Sequence, residues 1–504
     1  MRFIVVIYLT WCCVAGGHLV AQSFLLSVGD TNTQDIPQRI IEYENCYYVN
    51  YCSYDTVTNY YYSHILKIDA TGIIISTLFL DSLRSISMYE YNDGIYMLFG
   101  KLVKNLPTPE FSTVFMKFNE NLQLLAYKEL YRPDFVYTPY DLGFYNTDTL
   151  MYAGWYFNAV NFSVDYDHFM LMDKSFNILH IDSLAHQQYY WSSSYPHFLN
   201  LQKDSIFVIG MNIGQYGQTN VALPIRKSDF TLQPFDTVDY QSNLPEYNNN
   251  PLGPNAWLAD IRNNSSAYTD STFLMAAAIL LCPTYNTCFT NLGFIEVNKK
   301  FIAKNMHHYY ALHPTISKFP ATFKSLDVND KNEIYMAGTT HCEQLGCINI
   351  PNTKVVVIKT DIEGNVYWQK VITMPDTFLY AATTLKATSD GGVLVAASVC
   401  RHINDLNYNI VLIKLDSTGA MVFTNTLPHK NEKPICYPNP TSTSLYLKNI
   451  AGPLSYNIVN NRGQVVCIGL YTGEPISVQT LPSGLYVLHL YENNNTHAVR
   501  FVKE

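Results

Sequence analysis

Residues 411–424 read VLIKLDSTGAMVFT. An apolar segment ends at Leu415, a polar turn runs from Asp416 to Gly419, and a second apolar segment begins at Ala420. Aspartate accepts backbone hydrogen bonds in tight turns, and glycine supplies the positive φ that many turns need. The stretch therefore predicts a β-hairpin, and its repetition along the chain predicts the fold.

Six other segments share this layout of strand, polar turn and strand. They read HILKIDATGIIIST, VFMKFNENLQLLAY, FMLMDKSFNILHID, PIRKSDFTLQPFDT, GFIEVNKKFIAKNM and VVIKTDIEGNVYWQ. The seven turns are centred on Asp69, Asn119, Asp173, Ser228, Asn298, Asp361 and Asp416, at intervals of 50, 54, 55, 70, 63 and 55 residues. Three copies keep Lys-x-Asp-x-x-Gly intact, with lysines at Lys67, Lys359 and Lys414 and glycines at Gly72, Gly364 and Gly419.

Another hairpin precedes each of these, as in SMYEYNDGIYMLFG and LKATSDGGVLVAAS. Two hairpins give four antiparallel strands in about 50 residues, which is typical of a propeller blade. A β-sandwich array would need linkers between complete cores, and a β-solenoid would have a shorter period. The pattern predicts an all-β chain with a seven-bladed β-propeller over residues 22–430, whose closed ring leaves no long sheet edge. We expect the segment from Phe24 to complete blade seven beside residues 420–427.

The repeats also carry a resemblance. NEIYMAG and SDGGVLVAA resemble the β-propeller repeats of secreted bacterial proteins. These motifs are degenerate, so the resemblance implies a fold and leaves the function open.

Composition restricts the partners. The chain has 504 residues, of which 48% are hydrophobic and 14% charged, with a net charge of −9. Nucleic-acid binding needs clustered lysine and arginine, so the charge argues against a nucleic-acid partner. The 40 tyrosines favour β-strands with one hydrated face, because tyrosine combines an apolar ring with a polar tip.

The N-terminal residues predict export. Arg2 precedes a short apolar stretch, and Ala21 offers a small residue for cleavage, which is the layout of a secretory signal peptide over residues 1–21. The apolar stretch is shorter than the roughly 20 residues that span a bilayer. We expect no transmembrane segment in the mature chain.

The last residues form a separate predicted domain, 431–504. Alternating segments such as SLYLKN, SYNIVN and LYVLHL predict six or seven short strands, enough for a small β-sandwich. The segment resembles the type A C-terminal sorting domain of the type IX secretion system of the Bacteroidota. The resemblance is carried by Tyr437, Pro438, Asn439, Pro440, Gly463, Pro482, Gly484, Tyr486 and Lys503.

This resemblance implies a route and a partner. It implies export through the periplasm, recognition by the type IX secretion machinery, and a secreted or cell-surface location outside the outer membrane. Arg500 stands near the place of a second basic residue in the family, a conservative departure.

The cysteines suggest local bridges, which export permits. Of the 11 cysteines, Cys12 and Cys13 lie in the predicted signal peptide, which leaves an odd number in the mature chain. The candidate pairs are Cys282 with Cys288, Cys342 with Cys347, and Cys436 with Cys467. The sequence leaves Cys46, Cys52 and Cys400 open, and a Cys52–Cys400 bridge across the ring closure competes with two free thiols.

No motif predicts catalysis, a metal or a cofactor. The repeated acids sit in turns, where aspartate has a structural role. DVNDKNE lacks the ligand pattern of a calcium loop because Lys331 replaces an oxygen ligand. The adjacent His307 and His308 would lie on opposite strand faces or in a turn, so they cannot readily share one ion.

Aromatic connectors are the best candidates for binding. QQYYWSSSYPH concentrates Tyr189, Tyr190, Trp191 and Tyr195, and TNYYYSH and GWYFNAVNF are similar. Such rings suit stacking on sugars or filling protein pockets, although packing between blades explains them as well.

We therefore expect an exported, non-enzymatic propeller that binds a glycan or a protein. Two alternatives stay open. One is an extracellular enzyme that degrades polysaccharide or peptide at the propeller axis, and the other is a structural surface protein.

Overall fold

The computed structural model describes part of the chain at the level of individual residues. The described residues are 5–7, 23–29, 33–56, 60–104, 110–131, 135–158, 165–185, 197–200, 205–214, 217–226, 230–232, 236–237, 256–257, 265–267, 272–284, 287–298, 300, 302–309, 316–342, 351–372, 378–400, 407–421, 435–448, 454–460, 463–471, 475–492 and 495–504. The chain divides into two compact units, Met1–Leu427 and Pro428–Glu504.

The described part of the first unit forms seven antiparallel sheets. Strands β1 (Val5–Ile7) and β2 (Phe24–Val28) precede the first complete sheet. Blade one consists of β3 (Thr33–Tyr43), β4 (Cys46–Asp55), β5 (Tyr60–Asp69) and β6 (Ile74–Asp81). Blade two consists of β7 (Leu83–Tyr91), β8 (Gly94–Lys104), β9 (Glu110–Phe118) and β10 (Leu124–Leu130). Blade three consists of β11 (Phe135–Phe144), β12 (Thr149–Asn158), β13 (Asp165–Asp173) and β14 (Ile178–Ala185).

The remaining four sheets follow in chain order. Blade four contains β15 (His197–Asn200), β16 (Ser205–Gly214), β17 (Gly217–Arg226), β18 (Thr231–Leu232) and β19 (Asp236–Thr237). Blade five contains β20 (Ala256–Trp257), β21 (Ser265–Ala267), β22 (Thr272–Thr284), β23 (Thr287–Asn298) and β24 (Ala303–Tyr309). Blade six contains β25 (Lys318–Pro320), β26 (Leu326–Val328), β27 (Ile334–Thr340), β28 (Val355–Thr360) and β29 (Val366–Ile372). Blade seven contains β30 (Leu379–Ala387), β31 (Val393–Cys400) and β32 (Asn409–Leu415).

The sheets form a closed ring. The inner strands are β3, β7, β11, β15, β21, β26 and β30, and each contacts the next, while β30 contacts β3. Strands alternate in direction within a blade, so the first and third strands begin at one face of the ring, which we call the loop face. The opposite face carries the hairpin turns that follow the first and third strands, and we call it the turn face. The fold is therefore a seven-bladed β-propeller, as the repeats predict.

The N-terminal segment completes blade seven, with a different partner from the predicted one. Strand β2 pairs antiparallel with β32, so that Phe24 lies opposite Lys414. The prediction that this segment pairs with residues 420–427 is wrong. Strand β2 takes the place next to β32 because Phe24 and Leu26 bury their side chains with Ile40 and Tyr47 of blade one. Strand β1, inside the predicted signal peptide, pairs with the other edge of β2.

Apolar side chains between neighbouring blades form the core. Blades one and two share a cluster that includes Tyr48, Met97 and Val114, all buried. Blades six and seven share another that includes Tyr335 and Val395. Removing these side chains from water is the main force that stacks the sheets.

The turn face explains the repeated aspartates. The Oδ1 atom of Asp69 accepts hydrogen bonds from the backbone N–H groups of Thr71 and Ile73, at 2.9 and 2.8 Å. The same carboxyl or amide contacts recur at Asn119, Asp173, Asn298, Asp361 and Asp416. Ser228 lies outside the described residues. These side chains hold the turns, which is the structural role expected of them.

The conserved spacing of lysine in the repeats also has a structural reason. Lys414 Nζ lies 2.8 Å from a carboxylate oxygen of Asp390, in the other hairpin turn of the same blade. Lys359 contacts Glu333 at 2.9 Å in the same way. Lys67 instead donates to the amide oxygen of Asn121 in blade two, at 3.4 Å.

The glycines of the repeat lie against an aromatic ring of the preceding blade. Gly72 and Gly419 have φ values of +92° and +74°, a region that L-residues rarely adopt. A Cβ added to either would lie 2.6 Å from a ring, that of Phe24 for Gly72 and that of Trp368 for Gly419. Phe24 thus occupies the position in β2 that Trp368 occupies in β29, which identifies β2 as the fourth strand of blade seven.

The second unit is a small β-sandwich. One sheet contains β33 (Ile435–Tyr437), β34 (Ser444–Lys448) and β37 (Ile476–Ser477). The other contains β35 (Leu454–Asn460), β36 (Val465–Tyr471), β38 (Gly484–Glu492) and β39 (Asn495–Lys503). The buried side chains between them include Leu445, Ile458, Leu488 and Phe501.

Candidate functional site

The propeller axis carries a cluster of charged side chains on the inner strands, toward the turn face. Arg39 of β3 lies 4.0 Å from Asp141 of β11, and both side chains are almost fully buried. The hydroxyl of Tyr89, from β7, donates to both carboxylate oxygens of Asp141 at 3.1 Å and accepts from Arg39 at 3.5 Å. Burial and the Asp141 charge raise the pKa of Tyr89. The ion pair of Arg39 and Asp141, together with Tyr89, therefore connects blades one, two and three.

Blades six, seven and two meet in a second set of charges. Asp327 lies 2.8 Å from Lys324 and 3.5 Å from Lys386, and Lys386 lies 3.9 Å from Glu90. Burial by itself would raise the pKa of Asp327, but the two lysine charges outweigh it and hold the pKa below its ordinary value. The Asp327 charge raises the pKa of Lys386 in return. Asp327 and Lys386 therefore form an ion pair between blades six and seven, whereas burial lowers the pKa of Lys324.

This pairing bears on catalysis at the axis. A glycosidase needs one carboxyl with a raised pKa that can donate a proton. Asp327 has a lowered pKa, and Asp141 is paired with Arg39. Asp141 and Asp327 therefore have the features of a structural network between blades.

A pocket opens on the loop face, between blades one, two and three. It has a volume of about 190 Å³. Its described lining consists of Tyr60, Tyr61, Ser82, Arg84, Ile86, Gly100, Leu102, Phe111, Tyr137, Thr138 and Pro139. These residues stand at the beginnings of β5, β7, β9 and β11 and at the end of β8. Strand direction alone brings all of them to the same face.

The wall of the pocket is built from side chains that contact one another. The Arg84 guanidinium lies 5.5 Å from the ring centroid of Tyr61, a cation–π contact. The ring of Tyr54 supports Tyr61 from the neighbouring strand, with centroids 4.8 Å apart. Tyr60 at the rim keeps 38% of its surface exposed. The pocket therefore presents rigid aromatic surface next to one positive charge.

The chain reaches the pocket through an unusual turn. Ser82 links β6 to β7 and has a φ of +58°, which is uncommon for a residue other than glycine. Its hydroxyl donates to Asp81 at 3.2 Å. The turn sets the start of β7, and with it the position of Arg84.

The structure describes one of the aromatic connectors and leaves the predicted binding residues of another outside the described part of the chain. Tyr60 and Tyr61, from the segment TNYYYSH, line the pocket. The predicted binding residues Tyr189, Tyr190, Trp191 and Tyr195 lie outside the described residues, between β14 and β15. They stay predictions. Sequence reasoning missed Arg84, Phe111 and Tyr137, because each stands alone at the start of its strand.

The two segments considered as metal sites, DVNDKNE and the adjacent His307 and His308, make contacts within the framework. Asn329 of DVNDKNE accepts backbone hydrogen bonds from Lys331 and Glu333 at 3.0 and 2.9 Å, so the segment is a hairpin turn. The ring of His307 packs 4.9 Å from that of Phe294. Among the described residues, no three His, Cys, Asp or Glu side chains are grouped to hold a metal ion.

The cysteines depart from the predicted pairing in one place. Cys436 and Cys467 are free thiols, so the predicted bridge between them is not formed. Cys436 Sγ instead lies 3.6 Å from the Arg500 carbonyl oxygen. Cys46 and Cys52 are free as well, so the alternative bridge between Cys52 and Cys400 is not formed.

The other two predicted bridges stay predictions. Cys282 and Cys288 lie on the paired strands β22 and β23. Cys342 is buried, and Cys347 lies outside the described residues.

In the C-terminal sandwich, the opening motif contacts the last strand. The side chain of Asn439 accepts from the backbone of Val502 at 2.9 Å and donates to the backbone of Arg500 at 3.2 Å. Thr441 exchanges backbone hydrogen bonds with Val502 and Glu504, each of 2.9 Å. The first and last segments of the domain thus form one structural element.

The remaining motif residues fix turns and packing. Tyr437 stacks on Tyr446 with centroids 5.6 Å apart, and Pro438 and Pro440 follow cis peptide bonds. Gly463 has a φ of +77° in the turn before β36. Tyr486 donates a hydrogen bond to the Pro482 carbonyl at 2.8 Å and stacks on Phe501. Gly484 begins β38. Lys503 is buried and donates a hydrogen bond to the Glu504 carbonyl.

A family model identifies this unit. The model of the secretion system C-terminal sorting domain matches residues 435–504. The chain is a β-propeller protein with a type IX secretion sorting domain. The sorting domain implies export and a cell-surface or secreted location. None of the described segments forms a helix that is long and apolar enough to cross a membrane.

Solved structures with similarity to this exported propeller are distant. The β-propeller domain of the Trilobed protease from Pyrococcus furiosus has 10% identity and a TM-score of 0.42, over 79% of this chain and 98% of that one. PorZ, a surface component of the type IX secretion system of Porphyromonas gingivalis, has 7% identity and a TM-score of 0.23, over 95% and 91%. A mutant Trypanosoma rangeli sialidase has 9% identity and a TM-score of 0.39, over 94% and 83%. No curated protein sequence matches the chain significantly.

Proposed function

We propose that the exported propeller is an extracellular binding module that takes a glycan or a protein ligand in the loop-face pocket. The pocket is the observation that carries the proposal. It combines the rings of Tyr60, Tyr61, Phe111 and Tyr137 with the charge of Arg84. Concave sites with aromatic walls and a few polar groups are typical of ligand binding.

The position of the pocket supports a role outside the framework. The side chains of the turn face hold turns and join blades, as those of Asp69 and Lys414 do. The pocket lies at the opposite face, where the long connectors between strands begin. Function on β-propellers and similar scaffolds concentrates in such connectors because a rigid framework positions them.

Binding fits the described charges better than catalysis does. Asp141 and Asp327 at the axis are paired with cations. The described lining of the loop-face pocket contains no carboxyl group. Neither place offers the two unequal carboxyls of a glycosidase.

A matched pair of tyrosine variants tests the pocket. Purified protein, Tyr61→Ala and Tyr367→Ala would be applied to glycan and peptide arrays. Tyr367 is an exposed tyrosine of blade six, so it controls for loss of a surface ring. We expect Tyr61→Ala to lose at least tenfold in affinity for whichever ligand the unaltered protein selects, and Tyr367→Ala to keep it. Equal binding by all three proteins would refute the pocket as the site.

Export is tested separately. We propose that residues 1–21 are a cleaved signal peptide, that the propeller spans residues 22–430, and that the host belongs to the Bacteroidota. Deletion of residues 435–504 should then hold the protein in the periplasm, because the type IX machinery recognises the sorting domain. Fractionation of cells that produce the truncated and the complete protein measures this. Continued appearance of the truncated protein outside the cell would contradict the sorting role.

A further inference from the structure

The loop-face pocket has a single sign of charge along its described lining. Arg84 is the one charged side chain among the eleven described lining residues. The chain as a whole carries a net charge of −9, so this positive site is a local exception. A buried or half-buried cation attracts an anionic group more strongly than a fully hydrated one does.

The guanidinium group of Arg84 suits a carboxylate. Its carbon lies 5.5 Å from the ring centroid of Tyr61, so the charge stands beside the aromatic wall of the pocket. The N–H donors of a guanidinium point outward along its edge, where a carboxylate accepts two parallel hydrogen bonds.

The other lining groups match a sugar ring. The C–H face of a pyranose stacks on aromatic rings, which Tyr60, Tyr61 and Tyr137 provide. Ser82 and Thr138 add hydroxyl groups that donate and accept hydrogen bonds with sugar hydroxyls. An apolar peptide side chain would leave these hydroxyls without a use in binding.

The volume limits the ligand to a single unit. At about 190 Å³ the pocket is smaller than the roughly 300 to 1,000 Å³ of sites for drug-sized ligands. One sugar residue at the end or the edge of a longer glycan is the expected occupant. Tyr60, exposed at the rim, is placed to contact the next unit.

We propose that the pocket binds one acidic sugar residue of the hexuronate class, with its carboxylate on Arg84 and its ring face on the tyrosines. This inference rests on the proposed binding function and names the ligand class of the same site. A peptide ligand is the competing outcome of the test.

Two sugars that differ only at C6, where one has a carboxylate and the other a hydroxymethyl group, decide the ligand class. Methyl β-D-glucuronide and methyl β-D-glucoside would be titrated into the full-length protein at low salt, with binding followed by ligand-observed NMR. We expect the glucuronide to bind about tenfold more tightly, which corresponds to about 1.4 kcal/mol. Equal affinities, or no binding of either sugar, would overturn the acidic-sugar inference.

Charge variants locate the effect. Arg84→Gln should lower the affinity for the glucuronide to that of the glucoside, while the glucoside affinity stays unchanged. Lys370→Gln, which removes one exposed charge from blade six, should change neither. Arg84→Lys keeps the charge without the planar fork, so an intermediate affinity is expected, and it replaces Arg84→Gln if that variant does not fold. An unchanged glucuronide affinity in Arg84→Gln refutes the role of Arg84.

The outcomes separate this inference from the proposed function. If the arrays give a peptide ligand that Tyr61→Ala loses, the binding function stands and the acidic-sugar inference fails. If a ligand binds and neither Tyr61→Ala nor Arg84→Gln alters it, both fail.

Discussion

The two faces of the propeller use their polar side chains differently. On the turn face, the polar side chains bond to nearby backbone or to one another: Asp69 accepts hydrogen bonds within its own turn, and Lys414 pairs with Asp390. On the loop face, Tyr60, Tyr61 and Arg84 border a pocket between three blades. The residues of the turn face belong to the sequence repeat and hold the framework together. The residues that line the pocket on the loop face do not recur from blade to blade.

This difference predicts which substitutions damage folding and which damage binding. Changes at the turn face, at the axis or at the ring closure should lower the free energy of unfolding. Changes in the pocket should leave it nearly unchanged. Urea unfolding of the full chain, followed by tryptophan fluorescence, measures the free energy in each of the following cases.

The largest effect is expected at the axis. Asp327→Ala would leave Lys324 and Lys386 without their shared carboxylate, and removing one partner of a buried ion pair costs about 3 to 5 kcal/mol. Asp330→Ala removes an exposed carboxyl three residues away and should cost less than about 0.5 kcal/mol. Similar losses in the two variants would show that the axis cluster contributes little.

The ring closure comes next. Phe24→Ala removes a ring that is 1% exposed and packs on Gly72, and it should cost about 3 kcal/mol. Phe79→Ala is the control, because Phe79 also lies in a fourth strand but is 45% exposed. If both variants unfold at the same urea concentration, β2 does not close the ring in solution.

A smaller effect is expected at the repeat glycines. Gly419→Ala places a methyl group 2.6 Å from the Trp368 ring, whereas Gly391→Ala meets only Ser417, at 3.5 Å. Both glycines have a positive φ, so the cost of that conformation is common to both variants. Overpacking should make Gly419→Ala about 2 kcal/mol less stable than Gly391→Ala. Equal stability would mean that the ring contact is loose.

Acid should weaken the turn face. Burial by itself would raise the pKa of Asp390, but the charge of Lys414 and the hydrogen bonds to the carboxylate outweigh it and hold the pKa below its ordinary value in the folded state. The unfolded chain therefore binds this proton more readily, so the stabilisation is complete above about pH 4 and is lost as the pH falls through the folded pKa. Asp390→Asn should cost about 1.5 kcal/mol at pH 7 and flatten the loss of stability in acid. A loss as steep as that of the unaltered protein would contradict this account.

The smallest change in stability is expected in the pocket. The double variant Tyr60→Ala, Tyr61→Ala should unfold within about 1 kcal/mol of the unaltered protein, because both rings are only partly buried. A loss comparable to that of Phe24→Ala would show that these rings belong to the framework.

The sequence predicted much of the fold because the repeat is local. An aspartate that binds the backbone two and four residues later forms the same turn wherever it stands, and Asp69 and Asp416 do so in different blades. The same holds for the sorting domain, whose motifs were recognisable although their contact through Asn439 and Val502 was not.

The candidate site was only partly predictable. Tyr60 and Tyr61 stand in an aromatic run, which is visible in the sequence. Arg84, Phe111 and Tyr137 are separated by more than twenty residues and share no pattern, so nothing links them before the blades are stacked. Their proximity depends on strand direction and on the order of blades around the axis.

By itself, the sequence determined the seven-fold repeat, the chemistry of its turns and the export address, because each depends on residues close together in the chain. The tertiary structure alone decided the partner of β2, the ion pairs at the axis and the pocket beside Arg84. These contacts join residues from different blades, and the packing of apolar sheet faces brings them together.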